Sequence, residues 1–276
     1  MKRLLLAVGA GIAAFVALAF LVLPIVALFV HTSPGRLIDQ LSDPAVKDAF
    51  LVSLRTSLIA QALIVLVGTP TAYLIATRRF PGRTLAITLV ELPLVLPPAV
   101  AGIGLLAAFG RAGLLGSTFD ALGFSIPFTQ AAVVMAVAFV ASPLYIRQAI
   151  ASFEGVNPDL VSASRTLGAG PARTFLRVVL PLARAGLAAG IALSFARGIG
   201  EFGATIMFAG SLQGVTQTLP LAIYAEFARN FDTAVAIGAA LVLFSLVLLL
   251  ALRLLLSWQI SFSTRSWFRF GPSTSG

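Results

Sequence analysis

The sequence predicts an all-α integral membrane protein with six transmembrane helices, and three observations carry that prediction. Of its 276 residues, 59% are hydrophobic and 11% charged, with a mean hydropathy of +1.01; an ordinary soluble domain has roughly 45–50% apolar and about 25% charged residues. Too few polar side chains remain to cover a soluble surface, so lipid has to cover part of it. The chain also divides into six apolar runs separated by polar connections. Finally, the 19 basic residues are shared unevenly between the two sets of connections, the asymmetry that orients a multi-pass protein.

The first run, 4–30, follows Met1-Lys2-Arg3 and covers 27 residues, about 40 Å of helix and enough to cross a bilayer. It continues through Leu23-Pro24 without the small-residue exit of a cleavable signal peptide, so a retained helix is expected. The second run is 54–76. The third, 85–109, carries Pro93, Pro97 and Pro98, each of which removes a backbone donor and bends the helix. Carbonyls freed at membrane depth must face protein or water, so this helix is expected to line an interior surface. Glu91 is placed to reach Arg83 or the interface, a structural role. The fourth run is 131–145.

The fifth run, 186–208, contains Arg197 and Glu201, an i,i+4 pair about 6 Å apart that neutralises itself. Counted from residue 186, they lie roughly 17 and 22 Å into a core about 30 Å thick, too deep for both to snorkel to the surface. Two readings stay open: Arg197 lends positive potential to an anion path, or the pair fixes helix packing. Gly198, Gly200 and Gly203 allow close backbone approach, which suits a tight crossing or a narrow gate. The sixth run is 234–256.

Six spans put both termini on one side. Thirteen basic residues fall on that side and five on the other, with Arg197 inside a span, so that side is the cytoplasm. The same spread over loops accounts for a pI near 11.4 without nucleic acid, which would need the charges gathered on one face. With no cysteine and His31 as the single histidine, thiolate metal sites and Ser-His-Asp chemistry lack their residues, and no catalytic or metal residue is assigned. No repeat or linker divides the chain: one membrane domain covers 1–260, and a cytoplasmic tail covers 261–276. Trp258 and Trp267 form an interfacial anchor pattern, and the final 271–276 is expected to be disordered.

The longest cytoplasmic connection, 154–181, reads as two short helices. Asn157 is a good N-cap, Pro158 suits the first helical position and Asp159 complements the helix dipole. Gly168 or Gly170 ends the helix in a left-handed conformation, and Pro171 opens a second helix that runs with Phe175 and Val178 on one face to Leu180-Pro181. The alternative is an amphipathic loop resting on the headgroups.

Ser162-Ala163-Ser164-Arg165-Thr166-Leu167-Gly168, followed by Phe175, Val178 and Leu180-Pro181, resembles the EAA loop of permease subunits of ABC importers. It departs from that pattern at Ser162, where the family usually has glutamate, and at Ser164, where it often has alanine, while keeping the helix-glycine-helix shape. The resemblance extends over nearly the whole chain from about Ser53. Phe80-Pro-Gly-Arg83, Leu92-Pro-Leu-Val-Leu-Pro-Pro98, Phe109-Gly-Arg-Ala-Gly-Leu-Leu-Gly116 and Phe195-Ala-Arg-Gly-Ile-Gly-Glu-Phe-Gly-Ala-Thr205, with the run to Tyr224, look like the oxyanion branch. Within it, Gly-Glu-Phe-Gly-Ala-Thr is closer to molybdate and tungstate permeases than to sulfate and thiosulfate ones.

The resemblance implies a type I importer fold in a prokaryotic inner membrane and a homodimer with the path on its two-fold axis. A cytosolic ABC ATPase would dock on Asp159, Ser162, Ala163, Arg165, Thr166, Leu167 and Gly168, with Leu167 as the apolar knob and Arg165 at its rim. An extracytoplasmic oxyanion-binding protein would dock on 110–129 and 210–231, for which plain loop packing is the other reading. Pro97, Pro98, Arg197, Glu201 and Gly203 would line the path. ATP and magnesium belong to the partner ATPase, since this chain has no G-x-x-x-x-G-K-S/T loop and no cofactor is expected in it. The rivals are a membrane enzyme, for which Glu91 and Glu201 alone are thin support, and a passive anion channel.

Overall fold

The computed structural model describes the backbone from Lys2 to Trp267 and, a few helical positions apart, the side chains to Ala251. The predicted tail end 271–276 and the Trp258 and Trp267 anchors lie outside the described residues or side chains. Thirteen α-helices follow in order: α1 (Lys2–His31), α2 (Pro34–Ser42), α3 (Pro44–Thr77), α4 (Arg83–Val95), α5 (Pro98–Phe109), α6 (Gly116–Ala121), α7 (Gln130–Glu154), α8 (Pro158–Thr166), α9 (Pro171–Thr174), α10 (Leu180–Ile199), α11 (Gly203–Ala209), α12 (Leu219–Phe227) and α13 (Phe231–Trp267). Among the described residues there is no strand.

Among the described residues, four stretches are long and apolar enough to cross a membrane: Leu6–His31, Pro44–Thr77, Gln130–Glu154 and Pro171–Ile199. The pair α4 and α5 makes a fifth if taken as one broken span, and the apolar stretch Phe231–Val247 of α13 is shorter. α1 contributes no buried residue in its most apolar window, so apart from its contact with α13 near Leu28 its circumference is left to lipid or to another chain.

The third predicted span does not bend but breaks. α4 stops at Val95, Leu96 is extended, and α5 leaves from Pro98 at 115° to α4. Consecutive prolines explain the severity. Pro97 disfavours the helical conformation at Leu96, and Pro98 is at ease only as the first residue of a new helix. The pair still traverses the molecule. Arg83, at the start of α4, bonds Glu154 at the end of α7, whereas Ala101 and Leu105 of α5 share a core with Val133 and Val137 near the start of α7.

The fifth predicted span differs at both ends. Its helix begins at Pro171, fifteen residues before the predicted start at 186, and stops at Ile199, before α11 resumes at Gly203. The predicted second loop helix is therefore not a separate element. It continues from α9 through a π-helical segment, Phe175–Val179, into α10. There the Leu180 amide donates to the Phe175 carbonyl, and this widened turn lets the helix pass Pro181, which lacks the amide an ordinary turn would use. α3 likewise starts ten residues before the predicted 54, and α2 was not foreseen at all.

α3, α7 and α10 form the central layer. α10 runs antiparallel to α7, with Gly186 beside Ser152, Gly190 beside Tyr145 and Gly198 beside Val137. Two of the core clusters divide this layer by level, and a third joins Val46 and Ala49 of α3 to Leu219 and Ile237. Val133, Val137, Ala204 and Phe208 belong to the one near the start of α7; Ile75, Tyr145, Phe153 and Leu187 belong to the one near its end.

Candidate functional site

The loop after α7 is held rigidly although it projects from the bundle. The Asn157 side chain accepts from the Asp159 amide at 2.8 Å, Pro158 opens the helix, and Asp159 lies in its first turn, as the sequence requires. Gly168 then adopts φ +84°, the left-handed region in which a side chain costs roughly 1–2 kcal/mol. Gly170, the other candidate for this role, is extended at φ −66°. The turn leaves Leu167 88% exposed, a large apolar side chain at the tip of a short capped helix.

α8 is tied back to the fifth span by a polar contact above an aromatic cluster. Ser164 Oγ meets Thr174 Oγ1 at 3.2 Å, and Thr174 is fully buried. Ser164 is one of the two departures from the EAA pattern, and its hydroxyl supplies a link that alanine lacks. Ser162, the other departure, bonds back to the Pro158 carbonyl, and Thr166 bonds back to Ser162. Beneath them Tyr73 of α3 stacks edgewise on Phe153 of α7 and on Phe175, with ring centroids 5.4 and 4.7 Å apart. Ala163 and Arg165 are exposed. All seven predicted coupling residues thus belong to one element and the turn that ends it.

The second set of predicted residues meets inside the bundle. Arg197 Nη1 lies 2.7 Å from Glu201 Oε2, but Glu201 is not on the same helix, because α10 has ended at Ile199. Its other oxygen, Oε1, accepts the Ala204 amide at 2.8 Å in the first turn of α11. Glu201 therefore joins both sides of the break, neutralising Arg197 and satisfying an orphan donor at a helix N-terminus. The Glu201 side chain is 1% exposed and that of Arg197 is 34% exposed.

Gly203 and the prolines come together where α11 crosses α5. A Cβ on Gly203 would fall 2.7 Å from Pro98 Cβ, and one on Gly102 would fall 2.6 Å from the Ala204 carbonyl oxygen. Both distances are shorter than carbon contacts allow, so the two half-helices touch backbone to backbone. Gly198 is similarly close to Val137, whereas Gly200 faces open space. Pro97 caps the start of α5. Glu91 pairs with Arg147 at 3.0 Å, not with Arg83, whose guanidinium is taken by the Ile75 carbonyl and Glu154.

Residues 64–260 match the family of binding-protein-dependent transport system inner membrane components. The chain belongs to this family. As a binding-protein-dependent permease it is a transport subunit of an inner membrane. It is 41% identical to the molybdenum transport system permease protein ModB of Mycobacterium bovis, over 86% of this chain and 90% of that one. It is 35% identical to the sulfate transport system permease protein CysW of a Synechocystis species, over 84% of this chain and 85% of that one. Its fold matches the structure of a bacterial ABC transporter involved in the import of alginate with a TM-score of 0.74 at 15% identity, covering 93% of this chain and 96% of that one.

In this permease a third group of polar residues went unread in the sequence. Ser194 of α10 donates to Gln61 of α3 at 2.9 Å, and Ser53 accepts the Leu219 amide at 2.8 Å. Gln61 Nε2, Thr205 Oγ1 and Thr218 Oγ1 are buried without a hydrogen-bond partner among the described residues. The signal was available, since a lone glutamine within an apolar run is costly at membrane depth unless another helix or water receives it.

Proposed function

We propose that the chain is the membrane-spanning permease subunit of an ATP-driven importer of molybdate or tungstate. The observation that carries the transport role is α8, a capped helix ended by a left-handed glycine and bearing an exposed Leu167. Such a knob on a stiff arm is what a groove on a cytosolic ATPase can receive. The oxyanion assignment rests on the likeness to ModB and on the run from Gly200 to Tyr224; the sulfate reading has the weaker likeness. In this reading the subunit makes six crossings, with α4 and α5 as one broken span and α13 as the last, and both termini are cytoplasmic. Two copies pair, so that two coupling helices meet two ATPases, and an extracytoplasmic binding protein delivers the anion.

Mechanically, ATP-driven closure of the ATPases moves α8. The Ser164–Thr174 contact and the aromatic cluster pass that motion to α9 and α10, and the break at Gly200–Phe202 lets α11 reorient against α5. Pro97, Pro98, Arg197, Glu201 and Gly203 border the path in this reading. Arg197 supplies the positive potential that an anion needs at depth, and Glu201 keeps that arginine in place.

Deleting the gene is expected to abolish high-affinity molybdate uptake and to leave sulfate assimilation intact. A deletion strain that instead requires reduced sulfur would favour the sulfate reading. Topology is checked separately in this cysteine-free chain: Ser162→Cys should be labelled only from the cytoplasmic side and Ser117→Cys only from outside. Reversal of either labelling would break the six-crossing arrangement.

A further inference from the structure

A cleft of about 1240 Å³ opens at the cytoplasmic end between the last turns of α3, the end of α7, and α8 and α9. It shares Ser162 and Arg165 with the coupling loop, but Leu167 does not line it. Its rim carries the exposed Arg78, Arg79 and Arg165, and its floor is apolar, formed by Tyr73, Phe153 and Val179 among others. Glu154, also at the rim, is spent on Arg83, whereas the three arginines have no ion-pair or side-chain hydrogen-bond partner among the described residues. The floor reaches Thr69, eight residues inside the end of α3, about 12 Å into the span. The neighbouring wall of α3 presents exposed Leu66, Val67 and Leu74, the surface that lipid covers.

We propose that this cleft binds the headgroup of an anionic phospholipid from the cytoplasmic leaflet, with the phosphate among the arginines and the glycerol and upper chain on the apolar floor. A free oxyanion fits less well, because a small tetrahedral anion is held by polar groups on all sides, whereas here the charge is confined to the rim. Basic pockets between transmembrane helices on the cytoplasmic side suit such headgroups. The bound lipid would wedge between α3 and α8 and set the angle at which the coupling helix is presented. The inference rests on the membrane orientation proposed above but not on the transported anion, and a binding assay without substrate keeps the two separate.

The test uses the full chain in neutral detergent, titrated with phosphatidylglycerol or phosphatidylcholine and read by native mass spectrometry. Phosphatidylglycerol should bind in clear preference. Arg78→Gln with Arg79→Gln should weaken it by about thirtyfold, the loss expected from two cationic contacts. Arg78→Lys with Arg79→Lys should retain most of it. Arg173→Gln with Arg177→Gln, an equal loss of charge on residues that do not line the cleft, should leave it unchanged. Absence of any preference in the unmodified chain, an equal loss in the Arg173 and Arg177 variant, or displacement of the lipid by millimolar inorganic phosphate would each overturn the proposal.

Discussion

Replacing Glu201 with alanine is expected to destabilise the folded chain by roughly 3 kcal/mol, near the low end for breaking a buried pair because Arg197 keeps 34% of its side chain exposed. Two losses combine. Arg197 is left without its counter-ion inside a span, and the Ala204 amide at the head of α11 loses its acceptor, a loss of the kind that costs about 1 kcal/mol at helix N-termini. Glu201→Gln separates the two, since an amide oxygen can still accept from Ala204 but cannot neutralise the arginine. Thermal unfolding in detergent should therefore rank Glu201→Gln between the native chain and Glu201→Ala. Removing Arg197 as well should recover part of the loss, because the double variant no longer holds an uncompensated charge. A Glu201→Ala chain as stable as the native one would show that water, not the carboxylate, satisfies both groups.

Replacing Gly168 with valine is expected to abolish most uptake while leaving membrane insertion intact. At φ +84° a β-branched side chain is an outlier, and its strain would be relieved by moving the turn. That shift would redirect Leu167, the large apolar side chain that ends α8 and is 88% exposed. Space is not the obstacle, since a Cβ at Gly168 would meet nothing within 4 Å; the obstacle is conformational. The measurement is anion uptake per ATP hydrolysed in proteoliposomes containing the ATPase and the binding protein, together with recovery of the assembled complex. Unchanged coupling and recovery would mean that the loop is the plain amphipathic connection considered at the outset.

The capped helix α8 and the turn that ends it were legible in the sequence because their signals are local. Asn157-Pro158-Asp159 and Gly168 act through backbone rules that hold wherever the chain runs, and the structure places the cap and the positive φ where those rules put them. The positions of the four long apolar spans were legible for the same reason, since hydropathy is a property of a short window. Span ends were not. Polar residues at the starts of α3 and of the helix from Pro171 lowered the local hydropathy, although helix conformation continues through them. The break at Leu96 was underestimated because proline periodicity gives the loss of donors but not the angle, which is set by how α5 packs against α11 and α7. The partner of Glu91 was misplaced because Arg147 is remote in sequence, and only the crossing of α4 and α7 brings the two within 3.0 Å.

The separation of two of the core clusters, one around Val137 and Phe208 and the other around Tyr145 and Leu187, has a thermodynamic consequence. The breaks at Leu96 and at Gly200–Phe202 leave α3 and α7 as the continuous elements shared by both clusters, so the α5–α11 contact can open without breaking the backbone hydrogen bonds of either. Such an arrangement behaves as two cooperative units and not as one. Amides of α5 and α11 can exchange through an opening that leaves α8, α9 and the base of α10 protected. A protein built this way loosens one face at a cost well below that of global unfolding.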